Sequence, residues 1–187
     1  PENPELAAAV EKQVVINDSI PHPGILYGFH KNDPRPEFQI HIMQNIYDAK
    51  REALEILIEQ NKDDDELVHV YQAKITKEMA GKKLQKDPAY MAKILNEFRG
   101  LIANLDKDLQ IHASPWICGQ DYTMADCIWG ISLYRIQWLG HAGLWDKYPR
   151  VQEYAHRLYK RPSFQKAYIK WGNSRPQSPH TVEIDVA

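Results

Sequence analysis

The chain has 187 residues, enough for one domain with a substantial core or two very small ones. Lys and Arg number 23 against 25 Asp and Glu, a net charge of −2 that excludes a strongly basic nucleic-acid binder. Hydrophobic residues at 43% and charged residues at 26% suit a soluble globular protein, and no run approaches ~18 apolar residues, so no membrane span is predicted.

Helical periodicity dominates. Asn3-Pro4-Glu5 reads as an N-cap, a first-turn proline and a first-turn acid. Leu6, Val10, Gln13, Val14 and Asn17 follow on one side, a stripe that turns polar until Pro21, Pro23 and Gly24 stop it. Residues 20–37 are expected to form a loop rich in proline and aromatics that folds back over something. A second helix is predicted from Glu37 to Gln60, carrying Ile40, Met43, Tyr47, Leu54, Leu57 and Ile58. The acids Asp63 to Glu66 sit where a helix N-terminus favours negative charge. The helix they open, about 66–84, has the thinner stripe Leu67, Val70, Tyr71, Ile75 and Met79, and Lys82, Lys83 and Lys86 read as its solvated end. Asp87-Pro88 starts the most regular segment, in which Met91, Ile94, Leu95, Phe98, Leu101, Ile102, Leu105 and Leu109 keep helical spacing.

A second block begins at Pro115. Thr123 as N-cap with Asp126 three residues on is a variant capping box. The helix behind it, about 124–139, is apolar nearly all round and must be surrounded by protein; Gly140 ends it. Two shorter helices follow, one with Val151, Tyr154, Ala155 and Leu158, the other opening at Arg161-Pro162-Ser163 and carrying Phe164, Ala167, Tyr168 and Trp171. The tail from Gly172 reads as irregular, with a hint of strand at 181–186. The expected class is all-α, a helical bundle around a buried central helix.

The run from Trp116 through Gly119 and Tyr122-Thr123 to Ala125-Asp126, then Pro149-Arg150-Val151, then Arg161-Pro162-Ser163-Phe164, resembles the C-terminal helical domain of the glutathione transferase superfamily. The resemblance is close over 116–168 and loose elsewhere. The long charged helices, with Leu133 to Gly140, look like the tetrachlorohydroquinone dehalogenase-like and ganglioside-induced differentiation-associated branches. It implies one such domain over 1–187: first helix and aromatic loop 1–37, long helices 38–112, central and last helices 116–172, and tail 173–187. It also implies that glutathione is bound mainly by an N-terminal thioredoxin-like domain, whose activating Ser, Cys or Tyr this chain does not contain. The chain begins without Met, where the interdomain linker would end, as a fragment would. The implied partners are that domain, a hydrophobic electrophilic small molecule and a second copy in a homodimer.

The candidate substrate-binding set is Asn17, Ile20, Tyr27, His30, Tyr134 and Trp171, an aromatic-lined cleft with a few polar groups suited to a flat electrophile. The same residues could instead be ordinary packing, or touch the missing domain. Thr123 and Asp126 read as a structural cap, with a catalytic acid as the remote alternative. No residue of this chain is assigned a catalytic role. Cys127, inside the apolar helix, reads as an inert buried thiol, and Cys118 has no adjacent cation to activate it. Two cysteines make no disulfide framework, and Pro1-Glu2-Asn3-Pro4 shows no signal-peptide pattern, so a cytoplasmic location is expected. The eight histidines are scattered without ligand spacing, so no metal site is expected; His22 and His30 lie in the aromatic loop, facing ligand or solvent. The function this implies is the helical half of a glutathione-dependent transferase or dehalogenase, inactive as this chain alone. The alternative is a non-catalytic assembly module.

Overall fold

The computed structural model describes residues 3–33, 35–112 and 114–170. The predicted tail and Trp171 therefore lie outside the described residues. Among those residues there is no strand, and the fold class is all-α, as expected. The described residues divide into two units, one formed by those within 3–21 and 96–170, the other by those within 22–95.

In the first unit, α1 (Pro4–Asp18) starts as the sequence implies: Asn3 Oδ1 accepts from the N–H groups of Glu5 and Leu6 at 2.9 and 3.3 Å. The same unit holds the second half of α5 (Pro88–His112), α6 (Met124–Trp138) and α7 (Pro149–Tyr159). It also holds a 3-10 turn at Ala142–Trp145 and the short α8 (Pro162–Phe164). The core is Ile102, Leu105 and Leu109 of α5, Trp129, Leu133 and Ile136 of α6, and Val151, Tyr154 and Leu158 of α7. Helix α6 packs against α1 and α7. Gly140 takes φ +80, a left-handed conformation that closes α6 and that few residues besides glycine adopt.

The end of α6 nearest Thr123 is organised by one side chain. Asp126 is 0% exposed. Its Oδ2 accepts from the Thr123 N–H at 2.8 Å and from Thr123 Oγ1 at 3.0 Å. Its Oδ1 accepts from the Ile117 N–H at 3.0 Å and from the Tyr154 hydroxyl at 2.8 Å. Helix start, preceding turn and α7 therefore share one acceptor.

The second unit holds α2 (His22–Tyr27), α3 (Glu37–Gln60), α4 (Asp65–Leu84) and the start of α5. Helices α3 and α4 pack as a hairpin, and α2 packs on α3. Tyr47 donates to Gln85 Oε1 at 2.6 Å, Lys50 pairs with Glu78 at 3.0 Å, and Lys82 pairs with Asp48 at 2.6 Å.

Five expectations need correction. The segment 20–37 is not all loop: α2 forms in it, because a proline in the first turn costs no helical hydrogen bond. The close approach there needs glycine, since a Cβ on Gly28 would collide with the Gly24 carbonyl and the Met91 sulfur. The central helix is not covered all round: Met124 is 65% exposed and Cys127 is exposed, because both lie on a line of the first turns that neither α1 nor α7 covers. In α4 no residue is buried, and Val70 of the expected stripe is half exposed; only one flank of that helix meets α3. The last predicted helix begins at Arg161 and Pro162 but continues as a wider π-helical turn over Gln165–Lys170. Lys82, besides, is no merely solvated helix end, because it is held by Asp48.

Replacing Asp126 by Ala orphans two buried donors and uncaps α6, so urea unfolding should show a loss of about 3 kcal/mol or more, whereas Met124→Ala should stay within about 0.5 kcal/mol. The thiols should separate as well. Burial first, then the charge of Asp126, pushes the Cys118 thiol above its ordinary pKa. Iodoacetamide at neutral pH should therefore label exposed Cys127 several-fold faster than half-buried Cys118, as read by peptide mass spectrometry.

Candidate functional site

Helix α1 meets α6 through polar groups, which is why its stripe turns polar. Gln13 Oε1 accepts from the Trp129 indole N–H at 2.9 Å, and its amide donates to Asp108 Oδ2 at 2.8 Å. One turn later, Asn17 Oδ1 accepts from Ser132 Oγ at 2.9 Å. The Asn17 amide nitrogen is buried without a partner among the described residues. Ile20, just past the helix, is buried in the same unit.

Tyr134, the third candidate of this unit, sits half-buried in a cluster of rings. It is edge-on to Tyr159, Phe164 and Tyr168 at centroid distances of 5.7, 5.5 and 6.1 Å. Phe164 and Tyr168 stack at 5.0 Å, and Tyr159 tilts against Phe164 at 5.3 Å. Burial raises the pKa of the Tyr134 and Tyr159 hydroxyls, so both stay protonated as donors. The Tyr159 hydroxyl is buried with no partner among the described residues. Such a wall offers ring faces and O–H donors together. The sequence reading picked Tyr134 from this cluster and overlooked Tyr159. The available signal was the crowding of aromatics at 159, 164 and 168 around the Arg161-Pro162 turn.

A second ring cluster flanks the start of α6. Arg161 lies 3.4 Å from the Tyr122 ring centroid and 5.3 Å from that of Trp116. Burial, then the neighbouring Cys127, pushes Tyr122 up to about 12. A cavity of about 330 Å³ by the start of α1 is lined by Asn3, Glu5, Leu6, Ala9, Cys118, Gln120 and Asp121. Its two carboxyl groups and already capped helix end make it a poor receptor for anions.

In the second unit, Tyr27 is edge-on to Tyr47 at 5.5 Å, and Lys50 Nζ lies 5.3 and 5.4 Å from the two ring centroids. His30 Nδ1 accepts from the Asn32 N–H at 3.2 Å. The sequence reading also missed Arg35, a buried residue whose guanidinium pairs with the shielded side chain of Asp33 at 2.7 Å. Arg35 donates to the Leu26 carbonyl at 2.9 Å and to the Gly28 carbonyl, closing the end of α2.

No helix among the described residues is long and apolar enough to cross a membrane. Compared with known proteins, residues 64–171 match the glutathione S-transferase C-terminal domain. Two strains of Sphingobium indicum carry a protein named 2,5-dichlorohydroquinone reductive dechlorinase, 37% identical over 184 residues; the match covers 96% of this chain and 53% of that protein. The human ganglioside-induced differentiation-associated protein 1-like 1 is 28% identical over 120 residues, covering 57% of this chain and 32% of that protein. The chain thus spans about half the length of the dechlorinases. No solved structure matches. With the match running from α4 through the capped helix α6 to the aromatic cluster, the chain belongs to the glutathione S-transferase family, through its C-terminal helical domain.

Proposed function

We propose that the chain is the helical half of a glutathione-dependent transferase or dehalogenase and supplies the wall that receives a flat, electrophilic aromatic substrate. The identity to the 2,5-dichlorohydroquinone reductive dechlorinases over 96% of the chain carries this reading. A halogenated hydroquinone is apolar on its ring faces and polar at its hydroxyls. Tyr134, half-buried among Tyr159, Phe164 and Tyr168, suits the faces, and the protonated Tyr134 hydroxyl suits a polar edge.

Glutathione does not fit this wall. A tripeptide with two carboxylates and an ammonium group needs cationic and amide partners, while the cluster offers rings and hydroxyls. Its binding is assigned to an N-terminal thioredoxin-like domain, from which its thiol would supply the nucleophile or reductant. This chain's residues orient the substrate ring and exclude water.

The test is chloride release from 2,5-dichlorohydroquinone with glutathione. The chain by itself should release none, and the protein joined to a thioredoxin-like domain should turn over. In that protein Tyr134→Ala should raise KM about tenfold, the loss of an aromatic contact worth roughly 1.4 kcal/mol, with a smaller effect on kcat. A joined protein that neither releases chloride nor binds glutathione-agarose would instead favour an assembly module.

A further inference from the structure

Helix α7 carries three charges on one side. Arg150, Glu153 and Arg157 follow at steps of three and four residues, the spacing at which opposite charges on a helix pair with each other. Here each arginine turns elsewhere. Arg150 is drawn to α5, where its Nη2 donates to Asp106 Oδ2 at 2.6 Å. Arg157 is drawn to the turn before α6, where its Nη1 donates to the Pro115 carbonyl at 2.6 Å. Glu153 is left between them, exposed and without an ion pair among the described residues.

The three side chains rim a cavity of about 170 Å³, which Leu109, Ser114 and Tyr154 complete. It lies wholly within the first unit and shares no residue with the ring cluster around Tyr134. Sites for drug-sized ligands start at roughly 300 Å³, so the occupant of this one is a smaller molecule.

Its lining has definite capacity left over. The Pro115 carbonyl is neutral, so its hydrogen bond leaves the Arg157 charge uncompensated and other guanidinium N–H groups unused. Arg150 is neutralised by Asp106, which is 7% exposed and fixes its direction. Ser114 donates its hydroxyl proton to the Trp116 carbonyl at 3.0 Å, so the Ser114 oxygen is left to accept. Tyr154 gives its hydroxyl to Asp126, and its ring joins buried Leu109 as apolar surface. The cavity therefore offers a cation, an anion, a further acceptor and an apolar floor. A simple anion would be repelled by Glu153 and a simple cation by Arg157. A molecule that carries both charges close together satisfies both.

We propose that this cavity binds a small zwitterionic α-amino acid with an aliphatic side chain. Its carboxylate pairs with Arg157, its ammonium group with Glu153 and Ser114 Oγ, and its side chain lies on Leu109 and Tyr154.

Isothermal titration calorimetry of the full chain with L-valine tests this, with circular dichroism to confirm that each variant is folded. L-Valine should bind saturably, with a dissociation constant of about 1 mM or tighter. N-acetyl-L-valine lacks the ammonium group and L-valinamide lacks the carboxylate, so each should bind at least tenfold more weakly. Arg157→Gln should weaken L-valine by a similar factor. Glu153→Gln removes an exposed side chain with no ion pair to lose, so the fold should be untouched. It should weaken L-valine about tenfold yet bring N-acetyl-L-valine level with it or above it, an inversion that a structural role would not produce. Absence of saturable heat from L-valine at about 10 mM overturns the inference. So does binding of N-acetyl-L-valine or inorganic phosphate by the unaltered protein as tightly as L-valine, which would mark a plain anion site. L-Valine binding that is indifferent to both substitutions overturns it equally. None of these readouts involves glutathione or chloride release, so this cavity and the proposed substrate wall stand or fall separately.

Discussion

The buried Asp126 carboxyl group is the constraint on which the first unit is assembled. A polar group removed from water must find partners of comparable strength, and this one finds donors in Thr123, Ile117 and Tyr154. Those donors come from the helix cap, the turn before it and α7. None could move without exposing or orphaning the others. Tyr154 reflects the same environment: burial, then Asp126, holds its hydroxyl pKa well above the ordinary value. With its first turn fixed in this way, α6 can bury Trp129, Leu133 and Ile136 in one register.

The polar pairs between α1 and α6 follow from that register. Trp129 carries an indole N–H that must be satisfied once buried, and Gln13 satisfies it. Ser132 and Asn17 repeat the arrangement one turn along. Tyr134, two positions beyond Ser132, lies among the rings of Tyr159, Phe164 and Tyr168. The same helix therefore carries the structural hub at its start and the proposed substrate wall toward its end.

The second unit is held differently. Its hairpin buries little apolar surface and relies on paired groups between helices, Tyr47 with Gln85, Lys50 with Glu78 and Lys82 with Asp48. The Lys82 hydrogen bond holds the Asp48 carboxyl below its ordinary range. The buried Tyr47–Gln85 hydrogen bond holds the base of the hairpin, while the part-exposed ion pairs add less. A long hairpin that leaves Ile42, Ile56, Val70 and Leu84 exposed is a surface as much as a core.

What could be read from the sequence is local. Asn3-Pro4, the acids before α4, Asp87-Pro88 and Thr123 with Asp126 each name a helix start, because capping is a contact among neighbours in the chain. The strong periodicity of residues 91–109 likewise placed α5 without help from anything distant. Tertiary structure alone decided the rest. Whether Cys127 lies inside or outside depends on which sides of α6 other helices cover, and an all-apolar segment carries no mark of that. Gly24 and Gly28 read as breakers until Met91 and Ile94 of α5 are seen pressed against them, and Arg35 reads as a loop charge until the carbonyls of α2 meet its guanidinium. That Ile42 and Ile56 of α3 stay exposed was likewise not readable, because burial is a property of what surrounds a helix and not of the helix itself.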